Sequence, residues 1–377
     1  MNWWHDPDAH WRATLAADLF PGIPTDTPER GPAYEAVVSD HRLAPWLHAR
    51  KVAGRTDWAA EARDAMARAL QQQQTLIRIL DICEARGAAP VLLKGLPLAL
   101  FTYAQPWHRP MRDLDLLVET PELALGVQDA LLEQGFATHD EQAGDAAALL
   151  GERHQLPVLV APDGITFVEL HLRLFHGYTN EATLTAAVDR EAFGRSVRVL
   201  LPEAQIVHLV GHAARDHRFD NGPQVIVDLA MLWQSEQIDD DRLQHLAAAS
   251  GLARHHALLE KMARDAFPGV GPGKAHAPDL DVAAALAWRL MTSPPGDVAS
   301  ARDRRETRGS SPSRLFSRLF PSPARLASAQ GEAGSAGALL GQYARHYARL
   351  ATQRLPRMLE SSSSDEDLAA LIDWLEA

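Results

Sequence analysis

The residue types best suited to chemistry fall in two short acidic segments. Asp113 and Asp115 are two positions apart in the run DLDLLV, and Glu169 lies in the later run VELHLRL. Residues two apart on a β-strand point to the same face of a sheet, so the two aspartates share a face. Neighbouring carboxylates repel one another, and a divalent cation relieves that repulsion because Mg²⁺ prefers oxygen ligands. If the two segments form adjacent strands, the pattern predicts a three-carboxylate metal site of the kind used in phosphoryl transfer.

Four residues near the acids are suited to phosphate groups. The pair Lys94-Gly95 follows an apolar run and precedes a predicted helix, where a glycine lets backbone N–H groups approach a phosphate. Arg109 and Arg112 lie in the loop just before Asp113, and a guanidinium fork matches two phosphate oxygens. This stretch therefore predicts a nucleotide-phosphate site formed by Lys94, Gly95, Arg109 and Arg112.

Two histidines accompany the acids. His171 alternates with Glu169 along one strand, so its ring shares the face of that carboxylate. It either orients Glu169 from behind, or reaches the substrate itself, or only packs within the strand. His154 precedes the first strand of the same predicted hairpin and is a further candidate for such a supporting role.

A longer pattern surrounds these residues. The run LLKGLPLALFTYAQPWHRPMRDLDLLV is followed by VELHLRL and then by EAQIVHLVGHAARD and QVIVDLAMLW. Over approximately residues 40–235, this pattern resembles a largely uncharacterised nucleotidyltransferase family of the DNA polymerase β superfamily. The resemblance implies a mixed-sheet core in which Asp113 and Asp115 hold Mg²⁺. It also implies that Glu169 is the third carboxylate and that Gly95 contacts a triphosphate.

The resemblance further implies a reaction. An acceptor hydroxyl attacks the α-phosphorus of a nucleoside triphosphate, the co-substrate, and pyrophosphate leaves. Mg²⁺, or alternatively Mn²⁺, is the expected cofactor. Glu169 would help to deprotonate the acceptor, and Arg109 or Arg112 would neutralise the pyrophosphate. The chain departs from the superfamily pattern at Leu96, which stands where a serine usually follows the glycine.

The acceptor and the oligomeric state are left open by the sequence. The expected partners are a nucleoside triphosphate and a small-molecule, peptide or protein acceptor. The chain has 37 Lys and Arg against 49 Asp and Glu, a net charge of −12. Proteins that bind long nucleic acid gain most of their affinity from basic residues that contact phosphate groups. Because this chain is acidic, long nucleic acid is not an expected partner.

Two other function classes remain as alternatives. His208 and His212 are four residues apart, so they share a helical face, and His217 and Asp228 lie further along the chain. Imidazole and carboxylate groups at such spacing could bind a transition metal in a helical metallohydrolase. No HExxH motif supports that alternative. The second alternative is a catalytically inactive nucleotide-binding or partner scaffold of the same fold, because the serine of the phosphate turn is absent.

The elements that must position these residues indicate an α+β fold, a small mixed sheet flanked by helices with a mostly helical C-terminal domain. Helical periodicity marks residues 58–86, and strands are predicted at 90–93, 113–118, 156–160 and 165–170. The last two strands form a predicted hairpin around the turn APDG. Further predicted helices cover 202–216, 223–236, 240–249, 252–266, 280–292, 337–358 and 364–376. The predicted organisation is an N-terminal helical segment (1–59), the nucleotidyltransferase-like core (60–200), a helical domain (201–292), an Arg/Ser/Pro-rich linker or loop (293–336) and C-terminal helices (337–377).

The composition narrows the expected class of protein and its expected cellular location. The chain has 377 residues and a single cysteine, Cys83, which excludes intramolecular disulfides and thiolate metal clusters. No apolar run approaches the roughly 20 residues of a membrane-spanning helix, and the first residues lack the features of a secretory signal. A cytoplasmic protein is therefore expected. Residues 302–325 carry seven arginines and are predicted to form a solvated linker with a docking helix. The alternative is a basic amphipathic segment that contacts an anionic membrane surface or an acidic partner.

Overall fold

The chain forms thirteen α-helices and one seven-stranded sheet in the part that the computed structural model describes. That part comprises residues 2–24, 28–52, 58–139, 154–174, 186–271, 279–294, 296–308 and 363–376. The helices are α1 (Trp11–Leu19), α2 (Pro32–Asp40), α3 (Ala44–Ala49), α4 (Trp58–Ala85), α5 (Gly95–Phe101), α6 (Pro121–Glu133), α7 (Pro202–Val210), α8 (Gln224–Ser235), α9 (Asp240–Ala249), α10 (Ala253–Ala266), α11 (Asp279–Met291), α12 (Asp297–Arg308) and α13 (Ser363–Glu376). The strands are β1 (Val91–Leu92), β2 (Asp113–Leu117), β3 (Ala137–Thr138), β4 (Leu159–Val160), β5 (Phe167–His171), β6 (Ala187–Ala192) and β7 (Arg195–Leu200). The predicted α+β class is confirmed.

The two strands that carry the acids lie side by side in the middle of the sheet. The strand order is β3-β4-β5-β2-β1-β7-β6, and β2 runs parallel to β5 with Asp115 opposite Glu169. Strand β1 is antiparallel to β2 and parallel to β7, so the sheet is mixed. The adjacency of the two acidic strands, which the sequence analysis stated as a condition, is therefore confirmed, and so is the hairpin of β4 and β5.

Each face of the sheet is covered by a different hydrophobic core. Leu114 and Leu116 of β2 are buried against residues of α4 and α6. Leu117 is buried in a second core with residues of α7 and α8. Because side chains alternate along a strand, Asp113 and Asp115 lie on the face of Leu117, toward the helical half of the molecule. The core positions thus direct both aspartates into the space between the sheet and α7.

Helix ends follow the expected signals around the site. Thr120 caps α6 by accepting a hydrogen bond from the N–H of Leu123 at 3.2 Å, and Pro121 occupies the first helical position. The predicted helix 202–216 is present, but it changes at Val210 into a π-helical segment, Gly211–Asp216. Single π-helical turns inside α-helices occur frequently at functional sites.

The segment predicted as a linker or loop, 293–336, contains a helix longer than the sequence indicated, because residues 297–308 form α12. Tertiary contacts explain the difference. Val298 and Ala301 are buried, and the guanidinium of Arg304 binds the carboxylate of Asp365 on α13 at 2.9 Å. Packing and ion pairing thus stabilise a helix whose own sequence has little apolar content.

Several predictions concern residues outside the described ranges. The predicted helix 337–358 and most of the arginine-rich segment 302–325 are among them. The predicted helix 364–376 corresponds to α13 and is confirmed. Within the described ranges, every helix is too short or too polar to cross a membrane.

Candidate active site

The centre of the site is a cluster of three potential metal-binding groups on two paired strands. One oxygen each of Asp115 and Glu169 and one ring nitrogen of His171 lie within 4.8 Å of one another. The Nε2 atom of His171 is 2.8 Å from Asp115 Oδ1 and 3.4 Å from Glu169 Oε2. Strand register causes this, because Asp115 lies opposite Glu169 and Leu117 lies opposite His171. The structure therefore brings together two of the three predicted carboxylates and His171, and Asp113 lines the same cavity.

Lys94 extends its ammonium group into this cluster. Its Nζ atom is 2.5 Å from Asp115 Oδ1 and 3.3 Å from Glu169 Oε2. The residue has φ 52° and ψ −116°, a conformation that side-chain-bearing residues rarely adopt. Its carbonyl accepts a hydrogen bond at 2.9 Å from the side-chain amide of Gln205 on α7. The sequence assigned Lys94 to phosphate, whereas in the structure its side chain binds the carboxylates.

The carboxyl groups of the cluster differ in proton affinity. Burial and the charge of Asp115 raise the pKa of Asp113 to about 7, although Lys94 opposes this effect. For Asp115, burial favours the protonated form, but Lys94 and the hydrogen bond from His171 outweigh it and hold its pKa well below the usual value. For His171, burial disfavours the imidazolium, but the hydrogen bonds to Asp115 and Glu169 raise its pKa. Asp115 thus remains ionised under conditions in which Asp113 is partly protonated.

Arg109 is held by an acid that lies far along the chain. Its Nη2 donates to Asp228 Oδ2 at 2.8 Å, and its Nε is 3.3 Å from Asp228 Oδ1. The Tyr103 hydroxyl donates to the same carboxylate at 2.7 Å and accepts from the amide of Gln224 at 2.8 Å. A Cβ atom on Gly95 would lie 2.7 Å from Arg109 Nη1. The missing side chain of Gly95 therefore makes room for a guanidinium that is already paired.

A cavity of about 840 Å³ opens in front of the cluster. Its opposite wall is formed by the face of α7 and the π-helix that carries His208, His212 and Asp216. Burial, together with the charges of Lys94 and His171, lowers the pKa of His208 to about 3, so its imidazole is neutral at physiological pH. Burial and the charge of Lys94 also hold the pKa of His212 well below its usual value. Both imidazoles therefore offer hydrogen bonds without adding charge.

The histidines do not form a second metal centre in the described part of the chain. There, Asp115, Glu169 and His171 are the one group of three potential ligands within mutual reach. His208 and His212 line the cavity but belong to no such group, so the predicted metallohydrolase site is not found among these residues. His154 lies beside the cluster, with its ring centroid 5.8 Å from that of His171.

Some site residues were missed by the sequence reasoning. The pairing of Asp228 with Arg109 was missed, because the sequence offered this carboxylate, in the apolar run QVIVDLAMLW, only as a possible transition-metal ligand. Arg42 also lines the cavity, and no motif distinguished it. Arg112 was predicted, and the structure places it on the cavity wall, where its Nη2 is 3.4 Å from the carbonyl of Asp40.

Comparison with known proteins assigns the chain to a family. The sequence profile of a family described as uncharacterised nucleotidyltransferase matches residues 36–268, more than half of the chain. The matched region runs from α2 to the first residues after α10 and contains every residue of the cluster. Comparison with curated proteins and with solved structures finds no similar protein. The chain belongs to this family of uncharacterised nucleotidyltransferases, and the resemblance to an uncharacterised nucleotidyltransferase family is confirmed.

Proposed function

We propose that this member of the nucleotidyltransferase family is an Mg²⁺-dependent enzyme. It moves a nucleoside monophosphate from a nucleoside triphosphate to an acceptor hydroxyl and releases pyrophosphate. The observation that carries the proposal is the cluster of Asp115, Glu169 and His171 on paired strands, with Asp113 beside it in a cavity of about 840 Å³. Family membership supports the reaction class.

The donor set fits a divalent cation. The ammonium group of Lys94, between Asp115 and Glu169, is direct support that this position favours positive charge. Asp113, Asp115 and Glu169 would hold the ion, since carboxylate oxygens suit Mg²⁺ and Mn²⁺. When bound, the ion supplies charge stabilisation to the phosphate oxygens during transfer. His171 would keep Asp115 ionised and oriented through its 2.8 Å hydrogen bond.

The chain's own residues would then have separate tasks. The oxygen of the acceptor forms a bond to the α-phosphorus, and the bond from that phosphorus to the bridging oxygen of the β-phosphate breaks. Glu169, which is 17% exposed on its side chain and faces the cavity, would accept the proton of the acceptor hydroxyl. Arg112 would bind the departing pyrophosphate. Arg109, saturated by Asp228, would act as a positioning residue behind Gly95.

The acceptor would occupy the side of the cavity next to α7. The volume of about 840 Å³ is at the upper end of the range for small-molecule sites, so it leaves room for a second substrate beside a nucleotide. The neutral imidazoles of His208 and His212 would hydrogen-bond a hydroxyl-bearing acceptor. A small molecule or an exposed side chain of a peptide or protein fits this description.

One observation favours a second candidate, an inactive nucleotide-binding scaffold. The ammonium of Lys94 already neutralises the carboxylates, which a protein without a catalytic metal would also need. The two candidates differ in turnover, since the scaffold binds nucleotide and transfers nothing.

The fate of an isotope label on the α- or the γ-phosphate tests the proposal. The wild type is incubated with Mg²⁺, a cell extract as the source of acceptors, and a nucleoside triphosphate labelled at either the α- or the γ-phosphate. We expect the α-label in a product and the γ-label in pyrophosphate, and neither with Asp115→Asn. Transfer of the γ-label to a product would identify a kinase-type reaction and refute the proposal. Tight Mg²⁺-dependent nucleotide binding without any transfer would support the scaffold.

A further inference from the structure

Three arginines converge on a second cavity beside the cluster. This cavity has a volume of about 340 Å³, and its walls include Arg42, Arg68 and Arg112. They come from three separate segments, the turn between α2 and α3, the middle of α4 and the loop before β2. Asp113 and Glu169 line both this cavity and the larger one. The arginine cavity therefore opens directly onto the proposed metal ligands.

These arginines differ from most others in the described residues because no carboxylate pairs with them. Arg42 Nη1 donates to the carbonyl of Met111 at 3.2 Å, and Arg112 Nη2 is 3.4 Å from a backbone carbonyl. No ion pair within 4.0 Å involves Arg42, Arg68 or Arg112 anywhere in the described ranges. By contrast, carboxylates bind the guanidinium groups of Arg12, Arg30, Arg109, Arg190, Arg195, Arg289, Arg304 and Arg305. In a chain of net charge −12, three arginines at one opening without a carboxylate partner among the described residues make that opening locally positive and suited to an anion.

Arg42 is held close to two other arginines, Arg68 and Arg112, whose positive charges repel it. Burial and the charges of Arg112 and Arg68 lower its pKa, and Asp113 opposes this effect only partly. Its backbone has φ 55°, in the left-handed region that favours glycine. The carbonyl of Met111, which binds Arg42, also accepts from the amide of Gln72 at 3.3 Å. Strained and repelling groups persist where the surrounding structure fixes them, and such positions concentrate at ligand sites.

We propose that Arg42, Arg68 and Arg112 form the subsite for the β- and γ-phosphates of the nucleoside triphosphate and for the pyrophosphate that leaves. This inference rests on the proposed function. Guanidinium forks bind phosphate oxygens in pairs, and three of them match a group that carries several negative charges. The position next to Asp113 and Glu169 places this charge beside the proposed metal site. Lys94 and Arg109, two other cations that line the larger cavity, already bind carboxylates.

Binding of three probes tests the subsite. Calorimetry measures the binding of three probes to the protein, each with Mg²⁺: inorganic pyrophosphate, a nucleoside triphosphate and the matching nucleoside monophosphate. The first variant is the triple substitution Arg42→Gln, Arg68→Gln, Arg112→Gln. The second is the double substitution Arg68→Gln, Arg112→Gln. The double leaves the bond from Arg42 to Met111 intact, so it gives an answer even if the triple does not fold. Arg63→Gln is the matched control, because Arg63 is an exposed arginine on the same helix as Arg68.

We expect each lost arginine to weaken pyrophosphate and triphosphate binding roughly tenfold. Monophosphate binding should change less than about threefold, since that ligand lacks the β- and γ-phosphates. Equal binding of pyrophosphate and triphosphate by the folded double variant and the wild type would overturn the subsite, and so would an equal loss of all three probes. Asp115→Asn separates the two proposals. If only that variant loses Mg²⁺-dependent triphosphate binding, the subsite fails and the proposed function stands. If only the arginine variants lose it, the subsite stands and the metal site fails.

Discussion

Replacing Lys94 by methionine removes the positive charge from the carboxylate cluster while it keeps an unbranched side chain. The ammonium is 2.5 Å from Asp115 Oδ1, and the two side chains are 12% and 2% exposed. Removing one partner of a buried ion pair costs about 3–5 kcal/mol, because the other charge remains buried without compensation. Protonation of a neighbouring carboxyl offsets part of this cost, since Asp113 has a pKa of about 7. We therefore expect Lys94→Met to lose about 3 kcal/mol of unfolding free energy in the absence of divalent cations.

A divalent cation should reverse this loss. On the proposed function, Mg²⁺ would bind the carboxylates in place of the ammonium, and a ligand that binds only the folded state stabilises it in proportion to RT ln(1 + [L]/Kd). In the wild type the ion must compete with Lys94, so the gain on adding Mg²⁺ should be smaller than in the variant. Lys94→Met should accordingly bind Mg²⁺ more tightly than the wild type does.

Urea unfolding with a chelator and with millimolar Mg²⁺ measures both effects. Lys51→Met is the matched control, because Lys51 also has a positive φ, 56°, and is exposed. The control should stay within about 0.5 kcal/mol of the wild type in both conditions. A Lys94→Met protein as stable as the control in chelator, or one that gains nothing from Mg²⁺, would refute the account of the cluster.

Three further substitutions, one of them with a matched control, test other parts of the site. The unfolded chain binds a proton at His208 near pH 6.5, whereas the folded chain does so only near pH 3. Stability should therefore fall as the pH drops below about 6.5, and His208→Gln should remove about 2 kcal/mol of the loss between pH 7.5 and 5 in urea titrations. Gly95→Ala places a Cβ 2.7 Å from Arg109 Nη1 and should destabilise by about 1–3 kcal/mol, whereas Gly126→Ala, with open space around its Cβ, should stabilise by up to about 1 kcal/mol. Asp228→Asn leaves the buried Arg109 guanidinium without its counter-charge and should lower the unfolding free energy by about 3 kcal/mol, and an unchanged thermal midpoint would contradict this network.

The parts of the fold that the sequence predicted well are those set by local signals. Thr120 and Pro121 fix the start of α6 through a cap and a preset φ angle, and both signals are visible in the chain. The alternation of DLDLLV places Asp113 and Asp115 on one face whichever strand lies next to β2. The turn APDG likewise determines the hairpin of β4 and β5.

The parts that the sequence did not predict depend on partners far along the chain. Strand β6 has the sequence AVDREA, which lacks regular apolar alternation, and it forms because it pairs along its whole length with β7. Helix α12 depends on Arg304 meeting Asp365 across 61 positions. Such pairs are decided by tertiary packing, which neither periodicity nor capping records.

At the site, too, partners far along the chain decide what a residue does, so the type of a residue does not by itself predict its role. Lys94 and Arg109 have the chemistry of phosphate ligands, and the sequence assigned them to phosphate for that reason. The fold instead places Asp115 beside Lys94 and Asp228 beside Arg109, over separations of 21 and 119 positions. The nearest acid determines what a cation binds, and only the fold determines which acid is nearest.

The central claim is that the cluster around Asp115 binds a nucleoside triphosphate together with Mg²⁺. Calorimetric titration of the four ribonucleoside triphosphates, with and without Mg²⁺, tests it most directly on the wild type, Asp115→Asn and the exposed-site control Asp129→Asn. We predict that the wild type and the control bind at least one of the four only when Mg²⁺ is present, and that folded Asp115→Asn loses this dependence. Equal Mg²⁺-dependent binding by Asp115→Asn and the wild type, or no binding of any triphosphate by the wild type, would contradict the claim.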